Sequence, residues 1–142
     1  MLVQALLFSN FFLLQRVNRL RATENGAPGG AQGELITVAL NGTKIAPNAA
    51  GMLVMDTHGE YGVLVVDSLP QLTNDQQYQL WLIEDGQRTS GGIFSVNEGG
   101  YGSIVLVSPQ RPLTEYPSFG ITIEPAGGSP GPTGDKVLGG EF

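Results

Sequence analysis

The sequence predicts an all-β domain: an antiparallel two-sheet β-sandwich of Ig-like topology, with seven or eight strands, preceded by an N-terminal helix. Three observations lead there. Gly and Pro punctuate the chain, with 21 Gly and 9 Pro among 142 residues, which suits short strands joined by turns and not a helical bundle. From residue 34 onward apolar and polar residues alternate at the period of a strand, and no helical period outlasts a turn. With 41% apolar and only 14% charged residues, the chain is too apolar for a disordered tail and long enough for one buried core.

Residues 1–21 form the expected helix. Leu2–Leu14 is almost wholly apolar and is followed at once by Arg16, Arg19 and Arg21. Its 13 residues rise about 20 Å as a helix, short of the roughly 30 Å hydrocarbon core. The charges follow the apolar run, the reverse of a signal peptide. The segment therefore reads as the last two-thirds of a transmembrane helix that begins upstream of Met1. Val3, Leu6, Asn10, Leu13, Val17 and Leu20 are also spaced as a heptad seam, with Asn at the central a position, a pattern that favours parallel pairing of two copies. Packing of this helix on its own domain is the remaining alternative. Residues 22–33 are a flexible linker by composition, and 34–142 are the sandwich.

Within the sandwich, strands are expected at Glu34–Leu40, Met52–Thr57, Tyr61–Leu69, Gln77–Glu84, Gly92–Val96, Tyr101–Val107 and Phe119–Glu124, with Lys136–Leu138 as a short edge. Turn residues bound them: Asn41-Gly42, His58-Gly59, Pro70, Asp85-Gly86, Asn97–Gly100 and Pro125. Alternation points Ile36, Val38 and Leu40 inward, likewise Tyr78, Leu80 and Leu82, and Phe119, Ile121 and Ile123. Trp81 and Ile83 make their strand apolar on both faces, which marks it as central or covered by a loop.

The chain holds no Cys and one His, which removes disulfides, thiol nucleophiles and Cys-type metal sites. Residues 31–142 carry a net charge of −8 and residues 1–30 a net +2, so the body repels a phosphate backbone and no nucleic-acid partner is expected. His58 reads as a turn residue, and Glu84-Asp85 and Asp56/Glu60 as solubilising strand-end carboxylates. Gly128–Lys136 fails as a phosphate loop, because Asp135 separates Gly134 from Lys136 and two prolines remove backbone donors. No enzyme, cofactor or metal is expected.

Two segments say more. Tyr78-Gln-Leu-Trp81 with Ser90-Gly-Gly92-Ile-Phe94, and then Glu124-Pro125-Ala-Gly127-Gly128-Ser129-Pro-Gly-Pro132-Thr133-Gly134, resemble in order the motifs of the C-terminal domain of the anti-sigma-K factor family. The resemblance covers Glu34 to Gly140. It implies a single-pass membrane protein with this domain outside the cytoplasm and a sigma-binding domain upstream of Met1. The partners implied are the membrane, through the N-terminal helix, and a sigma factor, through that upstream domain. On this reading the domain senses or regulates, and a protease acting at the linker releases the sigma factor. Prolines stiffen Glu124–Gly134 while glycines allow positive φ, so the loop is expected to be ordered across one end of the sandwich. The motif residues are read as structural before ligand-binding. Two alternatives stand beside this. A secreted or surface binding module would display Tyr61, Tyr101 and Tyr116, and a small hydrolase would need a nucleophile and an acid beside His58.

Overall fold

Eight strands form: β1 (Leu35–Gly42), β2 (Ala50–Asp56), β3 (Tyr61–Asp67), β4 (Gln76–Glu84), β5 (Gln87–Phe94), β6 (Gly102–Val107), β7 (Ser118–Pro125) and β8 (Lys136–Glu141). They belong to a computed structural model that describes residues 33–108 and 110–142. Seven lie close to where the alternation places them, and β5, expected at Gly92–Val96, starts five residues earlier because the Asp85-Gly86 hairpin pairs Gln87 directly with Glu84. The helix expected over 1–21, its seam Val3, Leu6, Asn10, Leu13, Val17 and Leu20, and residues 22–32 of the linker lie outside the described residues. Turn chemistry sets most boundaries. Asp85 and Gly86 both take positive φ, 48° and 77°, the twist a two-residue hairpin needs. The Asp56 carboxylate accepts the amides of His58 and Tyr61 at 3.0 and 2.9 Å and ties off the β2–β3 turn.

The strand pairings are all antiparallel, as expected, but the two-sheet Ig-like arrangement is not what they build. One continuous sheet runs in the order β5-β4-β7-β8-β1-β2-β3-β6. It rolls into a nearly closed barrel in which two four-stranded halves face each other over a shared core. Val38, Leu40, Leu53 and Leu64 come from one half, and Tyr78, Leu80, Leu82, Phe119 and Ile121 from the other.

The joint is β8. The sequence suggests only a short edge there, yet the strand lies between β7 and β1 and pairs with both. Its β1 ladder is only Asn41↔Gly139 and Gly42↔Leu138. Close approach explains the glycines: a Cβ on Gly140 would stand 2.2 Å from the Ala39 carbonyl oxygen, so a side chain is excluded where the chain crosses between halves. Asn41-Gly42 is likewise not the expected turn. Both residues belong to β1, and the connection to β2 starts at Thr43, whose amide donates to the Val137 carbonyl at 3.0 Å.

At the opposite seam, β5 and β6 are the two ends of the strand order. Side chains fill this seam: a Cβ on Gly91 would meet Leu80 Cδ2 at 2.8 Å and Leu106 Cδ2 at 3.1 Å. The β4–β5 register slips at the same place, from Leu80↔Gly92 to Trp81↔Ser90. This bulge leaves Gly92 at φ 128° and is why the strand carries two consecutive glycines.

Candidate functional site

The sheet has two outer faces, and β4 and β7 carry the polar one. Gln77, Gln79 and Trp81 point outward from β4, opposite Glu124, Thr122 and Gly120 of β7. Yet Gln79, Trp81, Thr122 and Glu124 are all buried. The segment from Pro125 to Asp135 covers them, lying over the outer face and not across an end of the barrel.

Each covered polar group has a partner. Trp81 Nε1 donates to Thr122 Oγ1 at 2.8 Å, and the Thr122 hydroxyl donates to Glu124 Oε1 at 2.9 Å. Glu124 Oε1 also accepts the amide of Thr133 at 2.7 Å, and its Oε2 accepts the Thr133 hydroxyl at 2.6 Å. The Gln79 amide works in both directions: its Oε1 accepts the Ser129 amide at 2.9 Å, and its Nε2 donates to the Ser129 carbonyl at 3.1 Å and to Ser90 Oγ at 2.8 Å. Gln77 Oε1 accepts the Gly127 amide at 2.9 Å. Side chains of the sheet thus supply the hydrogen bonds that a loop lacks, which a buried backbone requires.

Burial raises the Glu124 carboxyl, but the Thr133 hydroxyl and amide, the Thr122 hydroxyl and the Gly134 amide favour its charged form more strongly. The net position is below the ordinary value of 4.5. Glu124 is therefore ionised at neutral pH and serves as the anchor of the loop.

Glycines make the path of the loop possible at three points. Gly127 and Gly128 take φ of 91° and 87°, which ordinary residues avoid. At Gly134 a Cβ would fall 1.8 Å from the Ile123 carbonyl oxygen, a position only hydrogen can occupy. Pro125 ends β7, and Pro132 precedes the Thr133 clamp.

The remaining motif residues point inward. Tyr78 donates its hydroxyl to the Pro70 carbonyl at 2.5 Å, its ring stacks on Phe94 at 5.6 Å, and burial pushes its pKa up to about 12. Leu80 is fully buried in the core. The two motifs thus meet, one on each side of β4. Gln79 and Thr122 are members of this hydrogen-bond network that the sequence did not single out, and Ser90, quoted only as part of a motif, is a third. Their signal was the expectation that Trp81 needs a cover, since polar residues flanking a covered Trp must themselves find partners.

The other candidates lie apart. His58 is 82% exposed in its side chain, with Nδ1 3.7 Å from Asp56 Oδ2. Glu84 forms a bidentate pair with Arg111, whose Nε also donates to Glu115 at 3.2 Å. Tyr61 is exposed, Tyr101 is half-buried and Tyr116 is buried. Tyr61 and Tyr101 sit at opposite ends of the β3–β6 pair, so the three tyrosines make no common platform. A cleft of about 300 Å³ beside the covered face is lined by neutral groups such as Gln71, Asn74, Gln76 and Ser95. Among the described residues, no cluster of three or more His, Asp or Glu is placed to hold a metal, and no helix is long and apolar enough to cross a membrane.

Comparison with known families decides the identity. The family described as anti-sigma-K factor rskA, C-terminal, matches residues 1–136, taking in the arm, the linker and nearly all of the barrel. This chain belongs to that family. The anti-sigma-K C-terminal domain also shares 27% identity over 95 residues with the "Uncharacterized protein in phr 5'region" of Streptomyces griseus. That alignment covers 67% of this chain and 38% of the relative, so the chain spans about two-fifths of the curated protein it matches. No solved structure matches it at a significant level.

Proposed function

We propose that this anti-sigma-K C-terminal domain is the extracytoplasmic regulatory part of a membrane-bound anti-sigma factor. The sigma-binding segment belongs to the upstream part of the full protein, and the chain described here has no catalytic role. The observation that carries the reading is the family match, which runs unbroken from the apolar arm through the linker into the barrel. The composition supports it: an apolar segment with arginines, a Gly-rich linker and an acidic body follow one another in that order. On this reading the helix anchors the domain, and the state of the domain governs whether a protease cuts within residues 22–33. Cleavage there releases the sigma factor.

The test uses the absence of Cys from the chain. Gln87→Cys adds a thiol at an exposed position of β5 in the product of the complete gene, and labelling is scored against the same product without the substitution. A membrane-impermeant maleimide should label it in intact cells. Labelling that occurs only after lysis places the domain in the cytoplasm and ends the proposal.

A further inference from the structure

The second outer face, on β1, β2, β3 and β6, has the opposite character. Tyr61, Val63 and Val65 point outward from β3, directly opposite Val107, Val105 and Ser103 of β6. Exposure is 60%, 42% and 43% for the first three, and 75% and 66% for Val105 and Val107. Met52 and Val54 of β2 pair with Val65 and Val63 and extend the face as half-buried neighbours. Exposed end strands ordinarily carry Lys, Pro or inward charges against pairing and aggregation. β6, with the sequence GSIVLV, carries none.

We infer that this valine face is a homodimer interface, in which a second copy of the chain stacks its own β3–β6 face on it about a two-fold axis. Size is the first argument. Four strands about 4.8 Å apart and seven residues at about 3.3 Å each make a face of roughly 19 by 23 Å, the scale of the buried centre of an interface that takes about 800 Å² per partner. Charge is the second. Residues 31–142 carry a net −8, so an anionic lipid surface repels this body, and no Lys or Arg on β3 or β6 offsets that. A second copy carries the same −8, but the two can appose Tyr61, Val63 and Val65 of β3 and Ser103, Val105 and Val107 of β6 without burying a charge, while Asp67, at the end of β3 and of the same outward parity, stays at the edge of the contact. Specificity is the third: a plain row of β-branched side chains offers no charge pattern to select a different protein. It is complementary to itself, and stiff valines lose little freedom on packing.

The experiment uses the full chain in a neutral, mild detergent, so that the arm is present in every sample. Sedimentation should show a dimer for the wild type, and V63E/V105E should weaken its dissociation constant by about 100-fold or more, because each substitution buries two charges in a symmetric interface. A spin label on Val105→Cys should report pairs within about 25 Å, since stacked sheets lie about 10 Å apart. V63T/V105T keeps the β-branched shape and serves if the glutamates prevent folding; it should weaken the dimer by about tenfold. A monomeric wild type, a dimer unaffected by the folded variants, or Val105 labels beyond about 40 Å would each overturn the inference.

Discussion

The two outer faces of one sheet are finished in opposite ways. On β4 and β7 the outward residues are Gln79, Trp81, Thr122 and Glu124, and eleven residues of the same chain, Pro125 to Asp135, lie over them. On β3 and β6 the outward residues are mostly valines, exposed by 42% to 75%, and no described segment is bonded over them. The polar face is the buried one and the apolar face the open one. Burial on the first side is tolerable because every hydrogen-bonding group named there has a partner. Exposure on the second is what a face waiting for a second copy would show.

Substitutions can break this contrast, and the largest effect belongs to the covered side. Gly134→Ala puts a methyl group against the Ile123 carbonyl, 1.8 Å away before relaxation. The loop must lift, with a loss of about 3 kcal/mol or more. Trp81 is the only tryptophan, so chemical denaturation followed by its emission reads both the stability and, through a red shift in the native state, the loss of cover.

Glu124→Gln removes the charge that four donor groups favour and should cost about 1–3 kcal/mol. Acid acts on the same group. The carboxyl titrates below 4.5 in the folded protein, so its contribution is fully present above that value and is lost as pH falls through the folded pKa. Stability below pH 4.5 should therefore decline less steeply in Glu124→Gln than in the wild type, measured as the denaturation midpoint against pH.

Thr122→Val leaves the Trp81 indole N–H without its 2.8 Å partner and should cost about 1–2 kcal/mol, visible in the same emission assay. The smallest effect sharpens the comparison from the other side. Val105→Thr, at a residue 75% exposed, should change the stability of the isolated monomer by no more than about 0.5 kcal/mol. A larger loss, measured at a concentration where the chain is monomeric, would mean that Val105 is packed within its own domain.

Most strand positions were legible because alternation and turn residues are local properties. β4 begins one residue before its expected start, at Gln76, and ends where expected, at Glu84, while β7 gains one residue at each end. The loop motif was also legible, both as an ordered segment and as a mark of family. Its destination was not. Nothing local to Glu124 says that its carboxylate will receive Thr133 nine residues on, or that Gln79 will bind Ser129 fifty residues away. Asn41-Gly42 misled for a related reason: the pair favours a turn, but here Gly42 is needed because a Cβ would stand 2.2 Å from the Ala46 carbonyl oxygen, a contact made only after the next loop has folded.

The sequence by itself determined the β class, a count of seven or eight strands, the inward residues and the lack of Cys in this chain, because each follows from residue type and from a period of two. Only the tertiary structure decided that the strands form one rolled sheet, that β8 is its internal joint and that the Gly-rich loop covers β4 and β7. Those outcomes depend on long-range pairing and close backbone approach. Alternation says which side of a strand is apolar, but not which neighbour the strand will find, nor whether a polar row will be left to water or sealed beneath a loop.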